Sequence, residues 1–526
     1  MIPWGVAGDG VGFLGRTRRR RLSSVVSVCL SLASSGCSLA PDYERPLPSI
    51  PSEFRNVSSR EESSDVSVAA AASEAPKVSA EEEETAAALE ARLGGWWRSF
   101  GSAELNGLVS EALRGNRDLR AAARRLVQAE SQAGSAGAGL LPTVSLTAKR
   151  SVDAPTGGQG SILSQGQQRV HRLTAGGLSA SYELDLWGRI RSGQDAAEAN
   201  FLSSAHDRDV VALTLVSDVV ISYFQWLTAI EREALSRRTL SGMERSATAL
   251  IERRRLGESS SIDVAQQRSQ LTQARSSTHQ LSLQREKAFD KLAFLLGKAP
   301  SALSLRKVSL SSFSIPSVAP GLPSRLVDRR PDVRKAEAAL MAANANVGVA
   351  RAKLFPVLNL TAERGWASQL MAGIMSPGSI YYVVAASLAA TVFDNGKASA
   401  EVDQAKARFA ELSENYAQAI LSSFRDVEDA LASVRIQADY EESQRDVLSA
   451  AKDASELSER AFKIGMVDLL TVLDSGKTLL QAEDALTQAR YLRLEASVAL
   501  FKALGGSAEE DPSSASPSLS MTERVE

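Results

Sequence analysis

The sequence predicts a mainly α-helical fold carrying four amphipathic β-strands, built as two copies of one helix-strand-strand-helix unit. Proline supplies the first observation: none occurs from 156 to 299 or from 378 to 511, although the stretch between holds Pro300, Pro316, Pro320, Pro323, Pro331 and Pro356. Two very long helical regions follow, because proline removes a helical donor and clashes with the preceding turn. The second observation is a heptad seam. Leu213, Val216, Val220, Tyr223, Leu227, Ile230 and Ala234 recur at alternating spacings of three and four, which calls for neighbouring helices. The run from about 189 to 253 would reach on the order of 100 Å as one helix, more than a compact domain needs.

The third observation is internal repetition at a period too long for a solenoid. Residues 118–150 align without gaps on 332–364, pairing Leu126 with Leu340, Gly134 with Gly348 and Pro142 with Pro356. A second block pairs Gly188 with Gly396, Phe201 with Phe409, Asp218 with Asp426, Gly257 with Gly465, Val264 with Val472 and Gly297 with Gly505. Each half therefore reads helix, strand, loop, strand, very long helix, glycine turn, helix.

Taken in chain order, Arg18 to Arg21 and the short apolar stretch Leu22 to Ala33 read as an export signal over 1–36, too short to span a bilayer. Ser34-Ser35-Gly36-Cys37 resembles a bacterial lipobox, with Ser34 where that pattern prefers Leu. The resemblance implies cleavage before Cys37, acylation of Cys37 and, with Ser38 rather than Asp following, sorting to the outer membrane. Residues 37–95 hold Pro41, Pro46, Pro48 and Pro51 and then Ser/Ala/Glu-rich sequence, a composition that predicts a flexible tether. The first repeat occupies 96–300, with strands at about 143–150 and 174–186; a linker covers 301–321. The second repeat occupies 322–506, with strands at about 357–366 and 380–392, and 507–526 reads as a disordered tail.

The strands carry the membrane signal. Leu178, Ala180, Tyr182, Leu184 and Leu186 alternate with Ser179, Ser181, Glu183 and Asp185; Leu358, Leu360 and Ala362 alternate with Asn359, Thr361 and Glu363. A soluble hairpin would set such an apolar face on a core, but no segment is left to cover it. Strands of roughly ten residues with polar alternate faces fit a transmembrane barrel with a wet lumen. Open edges cannot face lipid, and four strands fall short of the roughly eight that close a barrel. Several copies must therefore each contribute four strands.

Composition narrows the function. Across 526 residues, 60 basic side chains stand against 62 acidic ones, which gives no global field for a phosphate backbone and no expectation of nucleic acid. The only cysteines, Cys29 and Cys37, lie in the first forty residues, so a Cys-based metal site or disulfide framework in the mature body is excluded. His171, His206 and His279 are too scattered for a His-x-x-x-His site. No catalytic constellation is present, so neither an enzyme nor a cofactor is expected.

Several segments together resemble the outer-membrane efflux lipoproteins of the TolC/OprM/NodT type. They are Ala40 to Pro46, Trp96 to Phe100, Leu105 to Val109 with Ala112, Leu113 and Asn116, Tyr182 to Arg189, and Val472-Leu473-Asp474. The similarity covers about 97 to 506 and the mature N-terminus. It implies a homotrimer whose twelve-stranded outer-membrane β-barrel continues into a long periplasmic α-helical barrel. It further implies docking on a periplasmic membrane-fusion adaptor and an inner-membrane RND-type pump, with small molecules exported passively through the duct. The alternative reading is a structural coiled-coil envelope lipoprotein without channel activity.

The same resemblance places the turns Arg255-Leu256-Gly257 and Ile464-Gly465-Met466 at the adaptor-contacting periplasmic tip. Its gate aspartate falls on Asp474, its constricting leucine on Leu470, its basic partner on Lys477 and its aromatic before the turn on Phe462, where the family usually has Tyr. Leu470, Asp474 and Lys477 stand at i, i+4 and i+7 and share a helix face. Without the resemblance, Asp474 and Lys477 read as a solvated surface pair. Arg253 to Arg255, beside Gly257, form a basic patch suited to anionic partners, and at the tip they read as adaptor contact rather than as a merely solvated helix end. Trp96, Trp97 and Phe100 read as an anchor packing the N-terminus on the helices rather than as a ligand cage. Gly134, Gly137 and Gly139 read as close packing where helix passes to barrel.

Overall fold

The computed structural model describes residues 39–46, 54–55, 87–153, 171–316, 323–370, 373–374 and 376–506. The export signal, Cys37, most of 47–86 and the 507–526 tail lie outside the described residues. After a 3-10 turn at Trp96–Phe100 come α1 (Ala103–Gly115), α2 (Arg117–Ala138), β1 (Thr143–Asp153), β2 (His171–Leu184), α3 (Arg189–Arg255) and α4 (Ser261–Leu295). The second half runs α5 (Pro323–Arg329), α6 (Pro331–Ala352), β3 (Val357–Ser368), β4 (Ile380–Ala389), α7 (Lys397–Lys463) and α8 (Leu469–Ala503). Duplication extends to element length: α2 and α6 have 22 residues each, α3 and α7 have 67, α4 and α8 have 35.

The chain forms two compact units. One takes Met1–Pro46, Val127–Ser203 and Glu337–Asn415; the other takes Leu47–Leu126, Ser204–Ala336 and Tyr416–Glu526. In the first, β1 to β4 make one antiparallel sheet in sequence order. In the second, equivalent residues close each repeat. Asn116 Nδ2 donates to the Leu295 carbonyl (2.9 Å) while its Oδ1 caps Leu119 N–H (2.9 Å). Arg330 donates to the Ala503 carbonyl (3.1 Å) and to Asp332 and Asp426.

Glycine is required at the first of these closures. Gly297 has φ 71°, and a Cβ there would meet the Gly115 carbonyl oxygen at 2.3 Å; at the equivalent Gly505, φ 85°, the nearest atom is 3.3 Å away. Gly297→Ala is expected to lower stability by about 1–3 kcal/mol from backbone strain, and by more than Gly505→Ala. Thermal melts followed by helical circular dichroism check the order of the two.

Trp97 and Phe100 are wholly buried. Trp96 stacks on Phe501 (5.1 Å, 18°), and Phe100 meets Phe224 edge-on at 5.3 Å, the anchoring role expected of them. The inter-repeat linker is also held. Glu104 accepts from Arg306 N–H at 2.8 Å, and Glu231 from Ser309 Oγ (2.7 Å) and Leu310 N–H (2.9 Å).

Two buried carboxylates repeat as well. Glu233 accepts from Arg237 and Arg285 at 2.7 Å each. Its equivalent Glu441 accepts from Arg445 (2.5 Å), Arg493 (2.9 Å) and Arg490 (3.2 Å). Burial pushes each carboxyl up, but the arginines outweigh it and hold both below the usual carboxylate range.

The structure corrects four expectations. The heptad seam is buried from Leu213 to Leu227, but Ile230 is half-buried and Ala234 exposed. From Ala212 to Ala229 the helix is covered on several faces, as a helix apolar on most sides must be, so no single stripe persists. That stretch makes α3 the one described helix long and apolar enough to cross a membrane (mean hydropathy 1.7), yet 67% of the window is buried, the mark of a core helix. Strand bounds shift too: β2 ends at Leu184, where Asp185 leaves the sheet to cap a helix, and β4 ends at Ala389. The flexible tether does not describe 39–46 or 87–95. Asn344 donates to the Pro41 carbonyl (2.7 Å), Arg351 to the Leu39 carbonyl (3.2 Å), and Arg45 pairs with Glu337 (2.6 Å). A Cβ on Gly348 would lie 2.7 Å from Ala40, so α6 offers this segment a fitted groove; Leu89 and Leu93 are buried in turn. Finally, Gly139 packs on Ile190 and Gly137 near Gln194, but Gly134 faces open space.

Candidate functional site

Two regions carry the predicted chemistry, the four-stranded sheet and the turns that join the helical hairpins. Directly opposed residues of antiparallel strands share a face. Leu146 opposes Leu178, Ala180 opposes Ala362, Tyr182 opposes Leu360 and Leu358 opposes Leu388. That face is apolar and bare, with Leu146 77% and Val384 80% exposed. Arg150, Arg172 and Arg364 join it toward the loop ends of the strands. The opposite face is polar: Ser145 and Ser179 share a hydroxyl hydrogen bond (2.7 Å), and Tyr381 donates to Glu363 (2.5 Å). Among the described strands β1 and β4 are both edges.

The passage from strand to helix shows what the Tyr182 to Arg189 segment does. Glu183 accepts a bidentate pair from Arg189 (2.8 Å twice). Asp185 takes Ile190 N–H (3.1 Å) and Arg191 N–H (2.9 Å) at the start of α3. Trp187 donates to the Pro356 carbonyl (2.8 Å) and stacks on Phe355 at 4.7 Å. Asp394 performs the capping role for α7, accepting from Gly396 and Ala398 N–H. Only the motif as a whole, not these separate duties, was visible beforehand.

At the tip both turns are Schellman motifs. Glu258 N–H donates to the Arg253 carbonyl (2.8 Å) and Gly257 N–H to that of Arg254 (3.0 Å); Met466 and Gly465 repeat this with Ala461 and Phe462 (2.9 and 3.0 Å). Gly257 and Gly465 have φ 83° and 75°, the left-handed region that favours glycine. The helices beyond are capped by Ser260, in a capping box with Asp263, and by Asp468, which accepts from Thr471. Thr471 holds the Asp468 carboxyl below its ordinary range, with the nearby Arg253 contributing.

Leu256, Ile464 and Met466 are exposed, and Arg255 pairs with Glu252 (2.9 Å). Phe462 lies near the end of α7; Leu470, Asp474 and Lys477 lie along α8, all exposed. Among the described residues neither Asp474 nor Lys477 forms an ion pair. Ser475, beside Asp474, hydrogen-bonds Ser458 of α7 (2.5 Å). These neighbours fix the face from which Asp474 projects. The Ser458 and Asp468 contacts were not anticipated; the recurrence of a polar residue just after each turn was the available signal.

The family model for outer membrane efflux proteins matches residues 108–298 and 322–506, one match per repeat. The chain belongs to this family. The pyoverdine export outer membrane protein OpmQ of Pseudomonas aeruginosa is 38% identical over 419 residues, 79% of this chain and 88% of that protein. The cation efflux system protein CusC of Escherichia coli is 30% identical, covering 91% and 98%. The open-state crystal structure of the Neisseria gonorrhoeae MtrE outer membrane channel superposes with TM-score 0.74 at 30% identity, covering 90% of this chain and 99% of that one. This outer membrane efflux protein thus has the TolC-like fold and is an efflux channel of the outer membrane. Its family consists of channel proteins rather than enzymes.

Proposed function

We propose that three copies of this efflux protein join their four-stranded sheets into a twelve-stranded barrel and form the exit duct of a tripartite pump. The supporting observation is the sheet: an exposed apolar face, a polar opposite face, and two edges whose backbone groups need partners in lipid. A coiled-coil lipoprotein without a channel would need that face covered. Energy for export comes from an inner-membrane RND-type pump, reached through a periplasmic adaptor. The exposed Leu256, Ile464 and Met466, with Arg255, Gly257 and Gly465, offer the adaptor an apolar tip. Phe462, Leu470, Asp474 and Lys477 form the periplasmic gate. Since OpmQ is named for pyoverdine and CusC for cations, cargo choice belongs to the pump rather than to this frame. Light scattering in detergent should give a trimer that conducts in planar bilayers. A folded, helical monomer would refute the duct.

Cys37 carries the lipid anchor in this reading. Leu39, two residues on, is held by Arg351, one position before α6 ends and six before β3 begins at Val357. Cys37→Ser is expected to abolish palmitate labelling while the barrel still inserts, because a closed barrel is itself an anchor and each acyl chain adds only marginal affinity. Label that persists would place the lipid elsewhere.

A further inference from the structure

We infer that the face of α7 running from Ile436 to Ala454 is covered by α4 of a second copy of this chain, with Arg275 pairing with Asp446 across the boundary. The inference rests on the oligomeric duct proposed above and names the surface by which its copies meet. Because α3 starts at Arg189 and α7 at Lys397, while α4 starts at Ser261 and α8 at Leu469, equivalent residues of the two hairpins lie 208 positions apart.

On α3, Thr228, Arg232, Leu235, Thr239, Gly242 and Ser246 follow the alternating four-three spacing of a coiled-coil seam. All six are buried or half-buried. What lies on them is α8 of the same chain. Arg232 makes a bidentate pair with Asp484 (2.8 and 3.2 Å), Arg238 reaches Glu483 at 3.8 Å, and Thr228, Arg232 and Tyr491 share the wall of a cavity of about 410 Å³. The equivalent seam on α7 is Ile436, Tyr440, Ser443, Val447, Ala450 and Ala454, and every one of these is exposed. Ile436 is 55% and Val447 49% open to solvent, although neither half-turn of the spacing is broken.

The equivalent of α8 is α4, and its matching face is exposed too, at Arg275, Ser276, Gln280 and Leu283. Among the described residues, no hydrogen bond or ion pair joins α4 to the 436–454 stretch of α7 within the chain. A repeat that is satisfied internally on one side and bare on the other is completed by the same contact made to a further copy.

The side chains change in matched pairs, as a contact demands and a free surface does not. Arg238 with Glu483 becomes Asp446 with Arg275, the signs exchanged. Arg232 with Asp484 becomes Tyr440 with Ser276, both charges lost together. Thr228 with Tyr491 becomes Ile436 with Leu283, apolar on both sides. Had only one member of a pair changed, a charge would be covered without a partner, which is costly. Asp446 forms no ion pair among the described residues, and Arg275 is shared with Glu244 of its own hairpin at 2.9 Å, so its remaining N–H groups can reach Asp446.

The test is a double variant, Arg275→Cys with Asp446→Cys, treated in outer membranes with a short bis-maleimide. A ladder ending at the trimer mass is expected in the double variant and in neither single one, the singles controlling for Cys37. A trimer by light scattering that gives no ladder would overturn this face while leaving the duct standing; a monomer would overturn the duct itself. Charge reversal gives an independent readout that needs no cysteine. Arg275→Asp and Asp446→Arg should each lower the fraction of trimer surviving mild heating in SDS, and their combination should restore it. A combination no better than the worse single variant would overturn the pairing.

Discussion

Glu441→Ala is expected to destabilise the helical unit by about 3–5 kcal/mol, the range seen when one partner of a buried ion network is removed. The Glu441 side chain is only 2% exposed and faces Arg445, Arg490 and Arg493. Arg490 also donates to the Phe313 carbonyl at 2.7 Å, so the network ties α7 and α8 to the linker between the repeats. Without the carboxylate, three guanidinium groups repel one another with nothing between them. Glu441→Gln keeps the shape and removes the charge, and should recover only part of the loss; Glu233→Ala, with two arginines to leave unpaired, should cost less. Thermal unfolding by circular dichroism reads all three, and a wild-type melting temperature in Glu441→Ala would refute the network's role. The acid dependence has a definite sign. A carboxyl held below its ordinary value contributes fully above the unfolded value of about 4.3. As pH falls below that, the unfolded chain takes up the proton first, and the contribution disappears by the lower folded value. Wild type should therefore lose stability on acidification more steeply than Glu441→Ala.

That network was not legible in the sequence, because a glutamate and arginines spaced along helices read as solvated charge. The signal lay in the duplication: Glu233, Arg237 and Arg285 recur in register as Glu441, Arg445 and Arg493. The strands were legible because period-two alternation survives any register that keeps one face apolar, and the long helices because proline and glycine mark their ends. The four-three spacing over Leu213 to Ala234 failed at its last two members, since a helix packed on several sides does not confine burial to one stripe. Composition also misjudged 39–46. A proline-rich stretch has little apolar surface to bury, but its carbonyls find Asn344 and Arg351, and no count of residue types registers a hydrogen bond to a particular groove. The bare seam on α7 was missed for a different reason. Ser443, Ala450 and Ala454 are small, so the spacing hides among residues that suit any helix.

Asp474→Ala is expected to loosen closure of the duct at rest, raising the current through single channels and removing their block by divalent or trivalent cations applied from the periplasmic side. On α8 the hydroxyl contact of Ser475 with Ser458 turns one face toward α7, and Asp474, one residue earlier and about 100° around the helix, projects away from that contact. It is exposed, as are Leu470 four residues before it and Lys477 three residues after. In a three-fold assembly the proposed gate then sets a ring of carboxylates above a ring of leucines. Like charges in a narrow pore repel unless paired or cation-bound, so cations should draw the ring shut and its removal should free it. Lys477→Ala should act in the same direction if Lys477 meets an acidic group of a neighbouring copy. A mere surface pair contributes at most about 1 kcal/mol and would leave conductance unchanged in both variants. The rings differ in chemistry, which separates their roles: Leu470→Ala should widen the closed tip while cation block persists, because the carboxylates remain. Cation block that survives unchanged in Asp474→Ala would move the gate to another residue.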